Sequence, residues 1–442
     1  MKTTVCLPKD LGTPELDRWR AIRSRRPDLD NPFLSPEFTL AVGRTRPEAR
    51  VAVVEDSEKI VAFFPFERRS LGLGVSIGEG LSDCQAIICE PDVDLDVHEL
   101  LAQCGLAAWR FDHLVGAQRA MVAPTSIECT SPIIDVSVGF DAYLAHEGRH
   151  SRTIFQKERK LAREVGPVRF GFGVDDDEAL SAMMAWKSEQ YRRTSRPDRF
   201  ARRATVQLVR ELAKTSEPDL SGTLMTLYAG DRLVAVEFSL RSETTLAGWF
   251  PSHDCELSRY SPGSIRTLRT IEAAGLAGLQ RYDLGKGDEE YKQWLKTGDL
   301  QVCEGWVVRP VPLGHLRRAM SMPQEMVLDV VLRHRRLRLA ARATLERLGS
   351  ARLGPPYPRA EDTPALGPDV ITDRTALERP WLGSRLVTGS SYGVLLGSTR
   401  LGMTCRVRRS LVGSRSGRAD MWPLDAVPRM TEPAETGIAG PG

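Results

Sequence analysis

Between Gly222 and Trp294 the chain runs through period-two stretches, TLMTLYAGDRLVAVEFSL and LAGWFPS. A segment of helical spacing then opens at SPGS, and RYDLGKGDEEYKQW follows. Alternation of this kind predicts two strands around a polar turn, a third strand, an amphipathic helix and a fourth strand. A strand, a short Ser/Pro/Gly loop and a helix in that order leave backbone N–H groups at a helix N-terminus, where phosphate binds well. A chain so patterned is confined to α/β architectures.

The same plan occurs upstream. VAVVEDSEKIVAFFPF reads as a hairpin, a Gly-rich stretch runs through LGLGVSIGEG, a helical segment spans His98 to Gly105, and WRFDHL reads as a strand. Setting Ala62 against Ala235 and Asp112 against Asp283 gives offsets of 173 and 171. Two common α/β layouts can coincide by chance, but near-constant spacing is what an internal duplication leaves. The expected fold is α/β: tandem modules with mixed, mainly antiparallel sheets flanked by helices. The expected domains are 1–130, 131–310, an Arg-rich helical extension 311–349, and a tail 350–442.

Between the modules, Ser151 is placed to cap a basic helix, SRTIFQKERKLAREVG, with Gly166 and Pro167 as its stop. Further helices are expected near Glu178 to Arg193 and Phe200 to Lys214, the latter with Ala204, Leu208 and Leu212 on one face. Leu316 to Leu348 is Arg-rich and reads as helical. The tail is rich in Gly and Pro and has no lysine. Such a composition buries too little apolar surface to offset ordering entropy, so disorder is expected there; a readthrough or frameshifted end would look the same.

With 442 residues, 41% hydrophobic and 27% charged, most of the chain can bury a core. A net charge of +3, with basic residues in short clusters, argues against dedicated nucleic-acid binding. No apolar run reaches the roughly 18 residues of a membrane span, and MKTTVCLPKD lacks the apolar core of a signal peptide, so a cytoplasmic location is expected. The eight cysteines show no CxxC pair and no zinc-ligand spacing, and read as reduced thiols without a metal.

Candidate chemistry gathers in the second module. Ser261 as N-cap, Pro262 at the first helical position, Gly263 and Ser264 form either a phosphate loop or a plain helix start, ahead of an apolar face through Ile265, Leu268, Ile271 and Leu276. Glu237 alternates with small neighbours, Ala235 and Ser239; it is either a solvent-facing strand residue or a base for an amine acceptor. Past the last strand, Tyr291 is a candidate proton donor to a departing thiolate. Lys292 either contacts phosphate or pairs with Asp288. Trp249, Asp283, Lys286 and Asp288, with Asp83 and Gln85 of the first module, are acceptor-side candidates, although a turn role suits Asp83 and Gln85 equally. The Arg clusters at 149–163 and 192–203 either receive an anion or are solvated helix faces.

Several phrases in fixed order, NPFLSPEFTLAV, RPEARVAVVEDSEKIVAFFPFER, GLSDCQAII, TIFQKERKLAREVG, WFPSHDCELSRYSPGS and YDLGKGDEEYKQWLK, resemble the CelD/BcsL group of GNAT-type acyltransferases, associated with bacterial cellulose and exopolysaccharide formation. The likeness covers residues 31–310. It implies tandem GNAT folds and transfer from acetyl-CoA or another acyl-CoA to an amine or hydroxyl of a small-molecule or saccharide acceptor. It also implies a pyrophosphate loop at Ser261, Pro262, Gly263 and Ser264, and a base at Glu237. Backbone N–H groups near the strand before SPGS would stabilise the oxyanion. SPGS departs from the Gly-rich acyl-CoA signature, and family members often carry His where Glu237 stands. Aminoacyl-tRNA-dependent transfer of the Fem type therefore stays open, as does a non-catalytic scaffold in a polysaccharide-synthesis complex.

Overall fold

The structure, a computed structural model, describes residues 1–122, 126–287, 289–333 and 344. Asp288, Cys405 and the tail expected beyond residue 350 lie outside the described residues.

The chain opens with β1 (Lys2–Cys6), α1 (Thr13–Ser24), α2 (Pro36–Thr45), β2 (Ala49–Asp56), β3 (Lys59–Arg69), β4 (Leu73–Ser76), β5 (Ile88–Cys89), α3 (Val97–Gln103) and β6 (Ala108–Val115). After α4 (Arg119–Val122) come β7 (Ile127–Asp135), α5 (Phe140–Glu164), β8 (Val168–Phe172), α6 (Asp177–Arg193), α7 (Arg203–Ala213) and β9 (Ser216–Glu217). The second hairpin, β10 (Leu220–Ala229) and β11 (Arg232–Arg241), leads to β12 (Thr245–His253), α8 (Pro262–Leu276), β13 (Arg281–Asp283), α9 (Glu290–Leu295), β14 (Gly298–Val308) and α10 (Pro312–Arg333).

One mixed sheet takes the strands in the order β1-β2-β3-β4-β6-β14-β7-β13-β12-β11-β10-β8, with β5 beside β3 and β9 beside β10. Read from each outer side towards the middle, the two sides carry the same plan. A hairpin (β2-β3 or β10-β11) is followed by a third strand (β4 or β12), a helix (α3 or α8) and a fourth strand (β6 or β13) parallel to the third. Ala62 and Ala235 are both fully buried on the inner hairpin strand, and Asp112 and Asp283 both lie on the parallel fourth strand. The duplicated hairpin, helix and strand are thus present in both halves.

Two strands then change sides. β7, which follows β6 in sequence, pairs with β13; β14, which follows β13, pairs with both β6 and β7. The boundary expected at residue 130 falls inside β7. Each half therefore lends the strand after its fourth strand to the centre of the sheet.

Helices cover both faces. On one, Ile265, Leu268 and Ile271 of α8 pack with Leu161 of α5 against Leu227, Val234 and Ala235. Each of these leucine, isoleucine and valine side chains contributes roughly 1.5–3 kcal/mol by leaving water. Leu276, expected on that face, is 86% exposed, and Ala274 and Leu279 close the core instead. On the other face, α6 and α7 pack Met183, Met184, Leu208 and Leu212 with Phe33 and Phe38 of the first half against Phe238, Trp249 and Phe250.

The helix between the halves starts earlier than its sequence signal. α5 begins at Phe140, entered through Gly139 at φ 86°, and Ser151 is a buried residue in its interior rather than its cap. Tyr143 anchors the added turns, its hydroxyl donating to the Leu295 carbonyl at 3.1 Å. Its C-terminus lies where Gly166 and Pro167 place it.

Candidate active site

The parallel strands β12 and β13 pair only through Thr245–Arg281, Leu246–Tyr282 and Ala247–Asp283. β12 then continues to His253 bonded to β11 alone, so the two strands part beyond Ala247. At the parting point Ser239 pairs with Gly248 and Phe238 with Phe250, which makes Trp249 the extra residue of a β-bulge. A bulge interrupts the ladder and re-aims backbone groups, and the C-terminal ends of parallel strands are where α/β sheets place ligands.

Glycine is required here. A Cβ on Gly248 would stand 2.8 Å from Glu237 Oε1 and 3.1 Å from the Tyr282 ring. Gly285, at φ +74°, has Asp83 Oδ2 at 3.5 Å and the Gly248 carbonyl at 3.9 Å from the place its Cβ would take. The 78–85 loop of the first half thus closes one side of the splay. Trp249 fixes it there, its Nε1 donating to the Leu81 carbonyl at 2.8 Å.

Glu237 faces α8 rather than solvent. It is 2% exposed, forms an ion pair with Arg266, and accepts from the Tyr282 hydroxyl at 2.8 Å. Burial, then the negative field of Glu237, pushes the Tyr282 phenol well above its usual range. The half-buried Tyr291 phenol is raised by the same two causes in the same order and stays protonated at neutral pH.

The start of α8 departs in detail from its expected form. Ser261 occupies the N-cap position, but in the left-handed region (φ 53°, ψ 52°), and its side chain does not cap the helix. Its Oγ instead accepts from Lys157 Nζ at 2.6 Å, while its carbonyl accepts from the N–H groups of Ser264 and Ile265. Pro262 has no N–H, so Gly263 carries the amide left uncapped in the first turn. A Cβ on Gly263 would lie 3.8 Å from His253 Nδ1. The His253 pKa is lowered by burial, then by the positive fields of Arg266, Arg193 and Lys187.

Lys187 of α6 donates from Nζ to the Pro251 carbonyl at 2.9 Å, alongside the free stretch of β12. Burial lowers its pKa to about 7; Glu237 opposes the shift, and Arg199, Arg196 and Lys292 add to it.

Several candidates are held by the fold itself. Gln85 donates to Asp112 Oδ1 at 2.5 Å and accepts from the N–H groups of Asp112 and His113. Asp283 accepts from Ser131 Oγ at 2.7 Å and the Gly285 N–H at 2.9 Å. Lys286 donates to the Asp112 carbonyl and pairs with Glu304 at 2.6 Å. Lys292 is buried; it donates to the Gly285 carbonyl at 3.0 Å and pairs with Glu289 at 3.2 Å, which closes the turn after β13. Among the described residues no hydrogen bond reaches the Asp83 carboxylate.

His113, Lys187, His253 and Arg266 were not singled out from the sequence. His113 was legible only as the residue after Asp112 in the second parallel strand. Its Nδ1 lies 3.1 Å from Asp112 Oδ1 and its Nε2 lies 3.9 Å from Asp83 Oδ1. Burial acts against the charged ring, but Asp112 and Asp83 outweigh it and its pKa lies above the usual value. Burial raises the pKa of Asp83, opposed by His113, Arg199 and Lys292. Among the described residues no cluster of His, Cys, Asp and Glu is placed to hold a metal ion, and no helix is long and apolar enough to cross a membrane.

Residues 148–293 match the family model described as acetyltransferase (GNAT) domain. That stretch runs from within α5 to α9 and includes the bulge, the splay and the start of α8. The likeness to a GNAT acetyltransferase domain therefore spans this site. No curated protein matches the chain significantly. Solved structures similar in outline include FemX (12% identity, covering 72% of this chain and 99% of that one, TM-score 0.47). A conserved protein of unknown function from Bacteroides thetaiotaomicron is also similar (11% identity, 67% and 98%, TM-score 0.44). So is a tandem GNAT protein from the clavulanic acid biosynthesis pathway (10% identity, 70% and 98%, TM-score 0.39).

Proposed function

We propose that this chain transfers an acyl group from acyl-CoA to an amine or hydroxyl acceptor, and that the acyl thioester lies along the free edge of β12. The splay carries the reading: β12 and β13 part at a bulge, and the free edge leads from Trp249 to His253 and the uncapped Gly263 amide. Four residues of strand span about 13 Å, room for an extended linker between thioester and diphosphate.

The donor set suits a diphosphate. The first-turn amide of Gly263 adds its share of the helix dipole, worth about 0.3–2 kcal/mol; Lys157 and Arg193, and in part Lys187, supply positive charge nearby, and His253 adds a neutral ring. The backbone re-aimed at Trp249 is positioned to donate to a developing oxyanion. Tyr291, still a phenol at neutral pH, is the candidate donor to the departing thiolate. Lys292 shapes the turn that frames the splay rather than reaching phosphate directly. Glu237 orients Arg266 and Tyr282 beneath the bulge, and its carboxylate is already engaged by those two partners.

The acceptor enters from the first half, past Asp83, and positioning alone can supply up to about 7–11 kcal/mol of barrier lowering. The resemblance to the CelD/BcsL group supports a saccharide acceptor in exopolysaccharide formation. Thiol release from acetyl-CoA with a panel of amino sugars, amines and sugars tests the reading. Gly263→Trp and Tyr291→Phe should each reduce release at unchanged folding. Aminoacyl-tRNA-dependent transfer without thiol release, or partner capture without any transfer, would replace it.

A further inference from the structure

We propose that Asp83, from the first half of the chain, takes the proton from a primary-amine acceptor, and that His113, braced by Asp112, is its positioning residue. This rests on the acyl-transfer reading and narrows the acceptor to an amine. A lysine-like ammonium has a pKa near 10.4 and holds its proton at neutral pH, so a group beside the thioester must remove it before the nitrogen can attack.

The carboxylates around the splay differ in what already holds them. Glu237 is engaged by Arg266 and Tyr282, Asp283 by Ser131 and the Gly285 N–H, and Asp112 by Gln85 and His113. Asp83 accepts no hydrogen bond from the described residues. Its side chain is 29% exposed, and its Oδ2 lies 3.5 Å from the place a Cβ on Gly285 would take, in the turn that follows β13 where β12 and β13 separate. It is both within reach of an acceptor at the splay and open to water, which lets it pass a proton on.

His113 Nε2 lies 3.9 Å behind the carboxylate, too far for a hydrogen bond at rest but close enough to fix its charge and rotamer. Asp112 Oδ1 lies 3.1 Å from Nδ1, an ion-pair contact without a hydrogen bond, and its charge favours the protonated ring. The proton balance closes with an acyl thioester as the only co-reactant. The ammonium gives one proton to Asp83 and thence to water. The nitrogen lone pair forms the C–N bond, the electron pair of the C–S bond leaves with sulfur, and the second nitrogen proton ends on sulfur as the thiol.

The test measures thiol release from acetyl-CoA with glucosamine, ethanolamine and lysine as probe acceptors, with melting temperature and coenzyme A calorimetry as controls. Asp83→Asn and Asp83→Ala should lower kcat by about 100-fold or more at unchanged coenzyme A binding, and Asp83→Glu should retain a measurable part. Added formate should restore turnover to Asp83→Ala in proportion to its concentration. His113→Gln should lower kcat less, and Asp83→Ala/His113→Gln should be no slower than Asp83→Ala, as for residues acting as one unit. Active wild type with an equally active Asp83→Asn, or loss that formate and Asp83→Glu leave unchanged, overturns the inference while sparing the transferase. No release by the wild type with any probe amine overturns the amine assignment; no coenzyme A binding overturns the underlying reading as well.

Discussion

The indole nitrogen of Trp249 donates to the carbonyl of Leu81 at 2.8 Å and so ties the bulged strand of the second half to a loop of the first. The acceptor side of the splay depends on this bond. Trp249→Phe keeps the aromatic contacts with Phe33 and Phe250 but leaves the Leu81 carbonyl unpaired, at about 1–3 kcal/mol. The expected outcome is a lower midpoint in urea and a raised KM for the acceptor, with coenzyme A binding little changed. Equilibrium unfolding and steady-state kinetics on the variant check both.

Glu237 and Arg266 form a buried ion pair across the face that α8 covers. Glu237→Ala should destabilise by about 3–5 kcal/mol because an unpaired guanidinium remains buried. Glu237→Leu/Arg266→Met should recover much of that loss, since a matched apolar pair removes both charges. A double-mutant cycle in urea measures the coupling; additive losses would show that the pair does not act as a unit.

Gly248 has no room for a side chain beside Glu237 and Tyr282. Gly248→Ala should cost about 1–3 kcal/mol as an overpacked site and should lower kcat by displacing the bulge. Gly139→Ala, at a positive φ with open space around it, should cost about 1–3 kcal/mol from backbone strain alone and leave transfer unchanged. Melting curves and thiol release on the two variants separate the effects.

Lys187 titrates near pH 7 in the folded chain, against an ordinary value of 10.5. Between those two values the unfolded chain binds more protons at this site than the folded one, so this lysine makes stability rise with pH from about 7 towards 10. Lys187→Met should flatten that rise and be the more stable protein at pH 7. Urea midpoints at pH 7.0 and 9.5 for both proteins check the sign.

Much of this arrangement was legible in the sequence because it is local. Alternation around Ala229–Asp231 placed the hairpin, Pro262 opened α8, and the near-equal spacing of Ala62 to Ala235 and Asp112 to Asp283 marked two halves of one plan. What stayed hidden depends on partners far along the chain. The crossing of β7 and β14 leaves no period to read. The short polar faces of Glu237 suggested an open strand position, whereas Arg266, one element further on, fills the space beside it. Ser151 looked like a cap because a Ser before a basic helical run has that signature; the apolar positions Phe140 and Tyr143 extend the helix past it. Asp83 could be read as a cleft or a turn residue, and only the approach of its loop to Gly285 distinguishes them.

The central claim is that coenzyme A lies along the free edge of β12 with its diphosphate at Gly263. Titration calorimetry of coenzyme A and acetyl-CoA into the wild type and Gly263→Trp tests it most directly. The account predicts one-site binding to the wild type and its loss in a Gly263→Trp protein of unchanged melting temperature. No heat with the wild type, or equal binding by the two proteins, would contradict it.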